Sequence, residues 1–223
     1  MFRIHLRIVL AEALIFSARA KNVILVTADT YSKYINKQDR SIRMLFGDGA
    51  AASWIRATEN NQGIIDILCG TSGSNSDKFI IPAGGCRLVK SDKTAQPKID
   101  RNGNVRTEES IHMDGMGILS FVNSKVPKQV QNILCRQGLT IEQVDLFIFH
   151  QASNMVLDSL QRILKIKSDR LFRNLTYIGN TVSASIPIAL KDAFVQGRIK
   201  PGDKILLSGF GVGLSWGTAL IRM

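Results

Sequence analysis

The residue types with the clearest chemical use stand at the ends of two apolar segments. His150 closes the run Asp145-Leu146-Phe147-Ile148-Phe149, and Asn180 lies in Gly179-Asn180-Thr181, just after Leu175-Thr176-Tyr177-Ile178. An imidazole and a carboxamide brought to one spot offer hydrogen-bond donors to a single ligand atom. The amide donates without titrating. A histidine donates only while the facing nitrogen holds a proton, a state that a hydrogen bond to the other nitrogen can enforce. Each residue also has a plainer reading, since a lone histidine serves as a hydrogen-bonded core residue and Gly-Asn is ordinary turn chemistry.

The elements that must position them follow from periodicity. Val144 to Phe149 is a β-branched and aromatic run, so it reads as a buried strand. Ser153 to Leu164 carries Met155, Val156, Leu160, Ile163 and Leu164 at helical spacing. Leu175 to Ile178 reads as a second strand and Ser183 to Phe194 as the helix after it. Both polar residues would then sit at carboxyl ends of strands, where open α/β sheets bind ligands.

Read in order, the chain begins with a helix from Ile4 to Ala18 and a strand from Asn22 to Thr27. A polar loop, Lys33 to Arg43, leads to the turn Gly47-Asp48-Gly49 and to strands at Ala50 to Arg56 and Gly63 to Cys69. Gly70 to Ser110 is rich in Gly, Ser, Asn, Asp and Lys, an irregular excursion long enough to be functional or mobile. Met113 to Val122 reads as a strand, and Lys125-Val126-Pro127 as the start of a helix to Gly138, with proline in its first turn. Two closing strands, Lys204 to Ser208 and Leu214 to Ile221, flank the Gly-rich turn Gly209 to Gly213. This alternation predicts an α/β fold with a mixed five-stranded sheet in Met113 to Met223 and remnants of a second sheet in Ala11 to Cys69.

Composition bounds the function classes. The 223 residues carry a net charge of +11, which favours acidic partners. The Lys and Arg residues are scattered rather than gathered in a stripe with aromatics, which argues against a nucleic-acid-binding module. Cys69, Cys86 and Cys135 form no CxxC pair and give neither a disulfide framework nor a metal site; three free thiols fit a reducing cytoplasm. Gly209 to Gly213 lies between two strands, not before a helix, so a phosphate cradle is not indicated. Met1 to Arg7 is basic, Ile8 to Phe16 is apolar and Ala18-Arg19-Ala20 has a small-x-small form, as in a signal peptide. Glu12 interrupts the apolar segment, which is also shorter than the roughly 20 residues of a membrane span.

Longer strings carry more information. Phe149-His150-Gln151-Ala152-Ser153, Gly179-Asn180-Thr181 with Ser185-Ile186-Pro187-Ile188-Ala189-Leu190, and Gly209-Phe210-Gly211-Val212-Gly213-Leu214-Ser215-Trp216-Gly217 resemble, in order and spacing, the carboxyl half of 3-oxoacyl-(acyl carrier protein) synthase III. Asp39-Arg40 with Leu45-Phe46-Gly47-Asp48-Gly49-Ala50 is a fourth match. The resemblance implies a thiolase-like fold, in which two similar units stack, with residues 113–223 as the carboxyl-terminal unit, 1–69 as the end of the amino-terminal one and 70–112 as the excursion between them. By the same likeness, Ala11 to Ala20 is the end of the helix that follows the family's catalytic cysteine, and that cysteine falls at Met1.

The family's chemistry implies roles for the residues present. Decarboxylation of a malonyl-thioester leaves an enolate, and His150 Nε2 and Asn180 Nδ2 are the implied donors to its oxygen. Gln151, Ala152, Ser153, Phe210 and Gly211 are implied substrate contacts, Gly115 and Leu119 the lining of an acyl pocket, and Arg40 a cation at the mouth of a pantetheine tunnel. The excursion would help to wall that tunnel. The substrates would be acyl-CoA, or a malonyl thioester on acyl carrier protein, and no separate cofactor or metal is implied. The family's helix after the histidine often carries an Arg where this chain has Met155, with Arg162 and Lys165 one or two turns on. The readings that follow are a truncated or split condensing enzyme, acting as a homodimer or with a complementing amino-terminal half, and a cysteine-less pseudo-synthase that decarboxylates or serves as a structural partner.

Overall fold

The computed structural model describes residues 2–58, 62–100 and 102–223, with side chains from Ile4 onward. Helix α1, Phe2–Phe16, buries Ile4, His5 and Ala11 and half-buries Ile8 and Ile15. That spacing of three to four residues puts one stripe against the rest of the molecule. Strands β1, Asn22–Asp29, and β2, Gly49–Arg56, form an antiparallel pair. Strand β3, Gly63–Thr71, does not join them.

The main sheet has four strands in the order β3-β6-β5-β4, where β4 is Leu146–Phe149, β5 Lys204–Gly211 and β6 Ser215–Arg222. β4 runs parallel to β5, and the other pairings are antiparallel. Alternate residues of the inner strands feed opposite cores, as the pleat requires. Leu146, Ile148, Ile205, Leu207 and Ala219 meet Ile4 of α1 and Ile186, Ala189 and Ala193 of α4, Ser185–Val195. Phe147, Phe149, Leu206 and Leu220 meet helices α2, Gly115–Arg136, and α3, Asn154–Leu164. The result is a three-layer α/β arrangement with helices on both faces.

The sheet differs from the sequence expectation in three ways. It has four strands rather than five, and its edge strand β3 comes from residues 1–69, so the sheet draws on segments from both sides of the excursion. Met113 to Val122 is not a strand. Apart from a two-residue bridge at His112–Met113, that region opens α2, which runs unbroken to Arg136 with Pro127 inside it. Buried Val122, Val126, Val130 and Ile133 hold one continuous stripe, which offsets the roughly 3 kcal/mol that an interior proline costs. The third difference is Leu175–Ile178, a single helical turn instead of a strand. It is fixed from outside: Asn180 N–H donates to the Leu45 carbonyl and Gly47 N–H to the Asn180 carbonyl. Among the described residues no helix is long and apolar enough to cross a membrane.

Candidate functional site

The chain continues the β4 ladder one residue past the strand, with His150 N–H donating to the Ser208 carbonyl at 2.8 Å. The side chain of His150 is therefore set by the sheet. Its Nδ1 lies 2.5 Å from Ser185 Oγ, in the first turn of α4. Its Nε2 is buried and has no hydrogen-bond partner among the described residues. The Phe210 ring packs edge-on against the imidazole at 5.5 Å between centroids. Burial pushes the imidazole well below the ordinary 6.5, with the positive amino terminus adding to the shift, so it is a neutral ring at neutral pH.

Asn180 is oriented by its neighbours. Its side-chain oxygen accepts from Val182 N–H at 3.0 Å and its amino group donates to the Ala152 carbonyl at 3.3 Å. One amide hydrogen remains. Gly179, at φ 65°, takes a conformation that glycine adopts freely. An added Cβ on Gly47 would lie 2.3 Å from the Ile178 carbonyl oxygen, so this close approach needs glycine at 47.

His150 and Asn180 both line a cavity of about 580 Å³, together with Ala152, Ser153, Phe210 and Gly211. Gly115 and Leu119 line the same cavity from the start of α2. Ser153 also caps α3, its Oγ accepting from Val156 N–H. The excursion supplies Asp100, Asn102, Asn104 and Arg106 to the wall. Arg106 is anchored there by Asp39, with Nε 2.6 Å from the buried carboxylate, which ties the excursion to the turn at Arg40–Arg43.

Two expected residues lie elsewhere. Gln151 is fully buried, its amino group donating to the Phe149 and Phe172 carbonyls and its oxygen accepting from Asn174 N–H, so it braces the segment behind the cavity and does not line it. Arg40 is exposed beside the lining residue Ser41, outside the wall itself. Gly211, the last residue of β5, lines the cavity, and Val212 after it is half-exposed outside it. Phe46, Phe79, Arg106 and Ser185 are the residues that sequence reasoning missed. Phe46 and Ser185 lie inside matched strings without a role given to them there, whereas nothing local marks Phe79 and Arg106. Cys69, Cys86 and Cys135 are exposed thiols, and none lines the cavity. The position aligned with the family's cysteine, Met1, lies outside the described residues.

Two sequence profiles match the chain: 3-oxoacyl-(acyl carrier protein) synthase III over residues 5–73, and the carboxyl-terminal part of the same synthase over residues 134–223. The chain is 34% identical over 213 residues to the β-ketoacyl-(acyl carrier protein) synthase III of Caldanaerobacter subterraneus, covering 96% of this chain and 62% of that protein. The chain belongs to the 3-oxoacyl-(acyl carrier protein) synthase III family. The synthase III of Campylobacter curvus is 36% identical over 213 residues, covering 96% of this chain and 61% of that one. A crystal structure of a 3-oxoacyl-(acyl carrier protein) synthase III superposes with a TM-score of 0.96 at 36% identity, covering 98% of this chain and 65% of that one. The fold is thus the thiolase-like α/β fold of synthase III. The chain spans a little under two thirds of the length of these synthase III relatives.

Proposed function

We propose that the cavity is the enolate-stabilising part of a β-ketoacyl synthase III type site, which condenses an acyl thioester with malonyl-(acyl carrier protein). The observation that carries this reading is the buried, unpartnered Nε2 of His150 in the same cavity as the oriented amide of Asn180. In a malonyl thioester the bond between the α-carbon and the carboxylate breaks, carbon dioxide leaves, and the electron pair passes into the thioester carbonyl as an enolate. Two uncharged N–H donors in a site shielded from water stabilise that oxygen as charge develops on it. The half-open walls accept an extended substrate such as a thioester on coenzyme A or on the phosphopantetheine of acyl carrier protein. An acidic carrier suits a chain of net charge +11.

Condensation also needs a thiol to hold the acyl group, and Cys69, Cys86 and Cys135 stand away from the cavity. That observation favours a second reading for the chain acting alone: a decarboxylase of malonyl thioesters, or a structural partner of a complete synthase. Carbon dioxide release from a malonyl thioester tests the core of both. His150→Ala and Asn180→Ala should each lower it by a factor on the order of 10² to 10³. Release unchanged in both variants would place the activity at another site.

A further inference from the structure

A neutral histidine has two tautomers, and only one of them places a proton on Nε2, so the donor role of His150 depends on what its other nitrogen meets. That neighbour is Ser185 Oγ, 2.5 Å away, with both side chains essentially inaccessible to solvent. Among the described residues Ser185 Oγ has no other hydrogen-bond partner and His150 Nε2 has none.

The direction of this bond follows from what each arrangement leaves unmade. If Nδ1 carried the proton and donated to Ser185, the serine hydroxyl would have no acceptor and Nε2 would face the cavity as a bare lone pair. If the hydroxyl donates to Nδ1, that bond is made and the one hydrogen left over stands on Nε2, where an oxygen of a ligand or water in the cavity can accept it. With such an acceptor in the cavity only the first arrangement keeps a buried polar hydrogen unpaired, at about 1 to 3 kcal/mol, enough to bias the two tautomers by roughly fivefold or more. Ser185 is placed for this by the turn Val182–Ala184 and the start of α4, five residues after Asn180. One stretch of chain therefore supplies the amide and fixes the state of the imidazole.

Resting on the proposed reading of the cavity, we infer that Ser185 is a positioning residue whose hydroxyl donates to His150 Nδ1 and thereby holds the imidazole as the Nε2–H tautomer. It does not touch substrate and acts only through His150.

The state of the ring is measurable without turnover. The chain has three histidines, so ¹⁵N-histidine labelling with a His150→Gln control identifies the ring signals. In the wild type, Nδ1 should appear as an unprotonated, hydrogen-bonded nitrogen and Nε2 as a protonated one. Ser185→Thr should keep that pattern, and Ser185→Ala should shift Nδ1 and lift the bias. A wild-type ring protonated on Nδ1, or a Ser185→Ala spectrum with both nitrogens unmoved, would overturn the assignment. If Ser185→Thr does not fold, the wild-type and Ser185→Ala spectra decide alone. Carbon dioxide release from a malonyl thioester separates this inference from the reading beneath it. A correct tautomer in a chain that releases none leaves Ser185 in its role and removes the decarboxylation reading, while a reversed tautomer removes Ser185 whatever the activity. Where release is present, Ser185→Ala should lower it by no more than the loss on the order of 10²- to 10³-fold expected for removing the donor itself, and Ser185→Thr should restore it.

Discussion

His150 works as a neutral ring, held below its ordinary pKa by burial, so activity that depends on its Nε2–H should not change with a midpoint near 6.5. The expected profile is level in this respect between about pH 6 and 8, with loss only at a pH well below 6.5. A midpoint near 6.5 that disappears in His150→Gln would contradict the assigned state. His5 carries a separate pH dependence, on stability. It is buried between α1 and the sheet, Nε2 lies 3.3 Å from the Leu207 carbonyl, and burial lowers it to about 4. Above 6.5 it is neutral folded or unfolded and exerts no pH effect. As pH falls from 6.5 towards 4 the unfolded chain binds a proton that the folded one refuses, so stability is lost across that window and levels off below it. The full loss is on the order of 3 kcal/mol. His150 contributes in the same direction. Urea midpoints at pH 7 and pH 5 should therefore differ less for His5→Gln than for the wild type, and equal differences would remove His5 as the source.

The close packing of α1 on the sheet depends on glycines that face it. A Cβ on Gly217 would stand 2.6 Å from His5 Cβ, so Gly217→Ala should lift the helix and cost about 1 to 3 kcal/mol, read as a lowered denaturation midpoint. Gly47→Ala meets the Ile178 carbonyl and should loosen the Phe46 and Asn180 pairing. It is expected to lower carbon dioxide release along with stability, whereas Gly217→Ala acts on stability first. Most elements were legible because their periodicity is strong: α1, β1, β2, β3, α3, α4 and the last two strands lie within a few residues of where the apolar pattern puts them. Pro127 and the β-branched pair Val122 and Val126 misled the reading of α2, although the 3.6-residue stripe around them was present. Leu175–Ile178 was unreadable locally, since one turn carries too little periodicity and its shape is set by contacts with residues 45–47. The proposed donors His150 and Asn180 were visible as residue types at segment ends. Ser185 stood in the sequence only as the first residue of a matched string, because its proposed role comes from a contact across the helix layer.

At the scale of the molecule, α1 turns Leu6, Leu10, Leu14 and Phe16 outward, with Leu10 59% and Phe16 84% exposed. The open face of the β1–β2 pair adds Ile24 at 63% and its cross-strand partner Trp54 at 62%. Exposed apolar surface of this kind marks an interface or a tendency to associate. The chain by itself is expected to self-associate through this surface, read as a hydrodynamic size that grows with concentration. A monodisperse monomer at all concentrations would refute the expectation. The order of strands in the main sheet bears on how the chain reaches this state. β6 lies between β3 and β5, and Thr71 of β3 meets Ser215 at a sequence separation of 144. Until β6 arrives, β3 has no neighbour in the sheet, and closing so long a loop is slow compared with forming the β5–β6 hairpin. Amides of β3 should thus gain protection from exchange late, and only after those of β5. Trp216 lies across Gly70, where no side chain intervenes, so in a Trp54→Phe background its fluorescence gives a clock for that last closure.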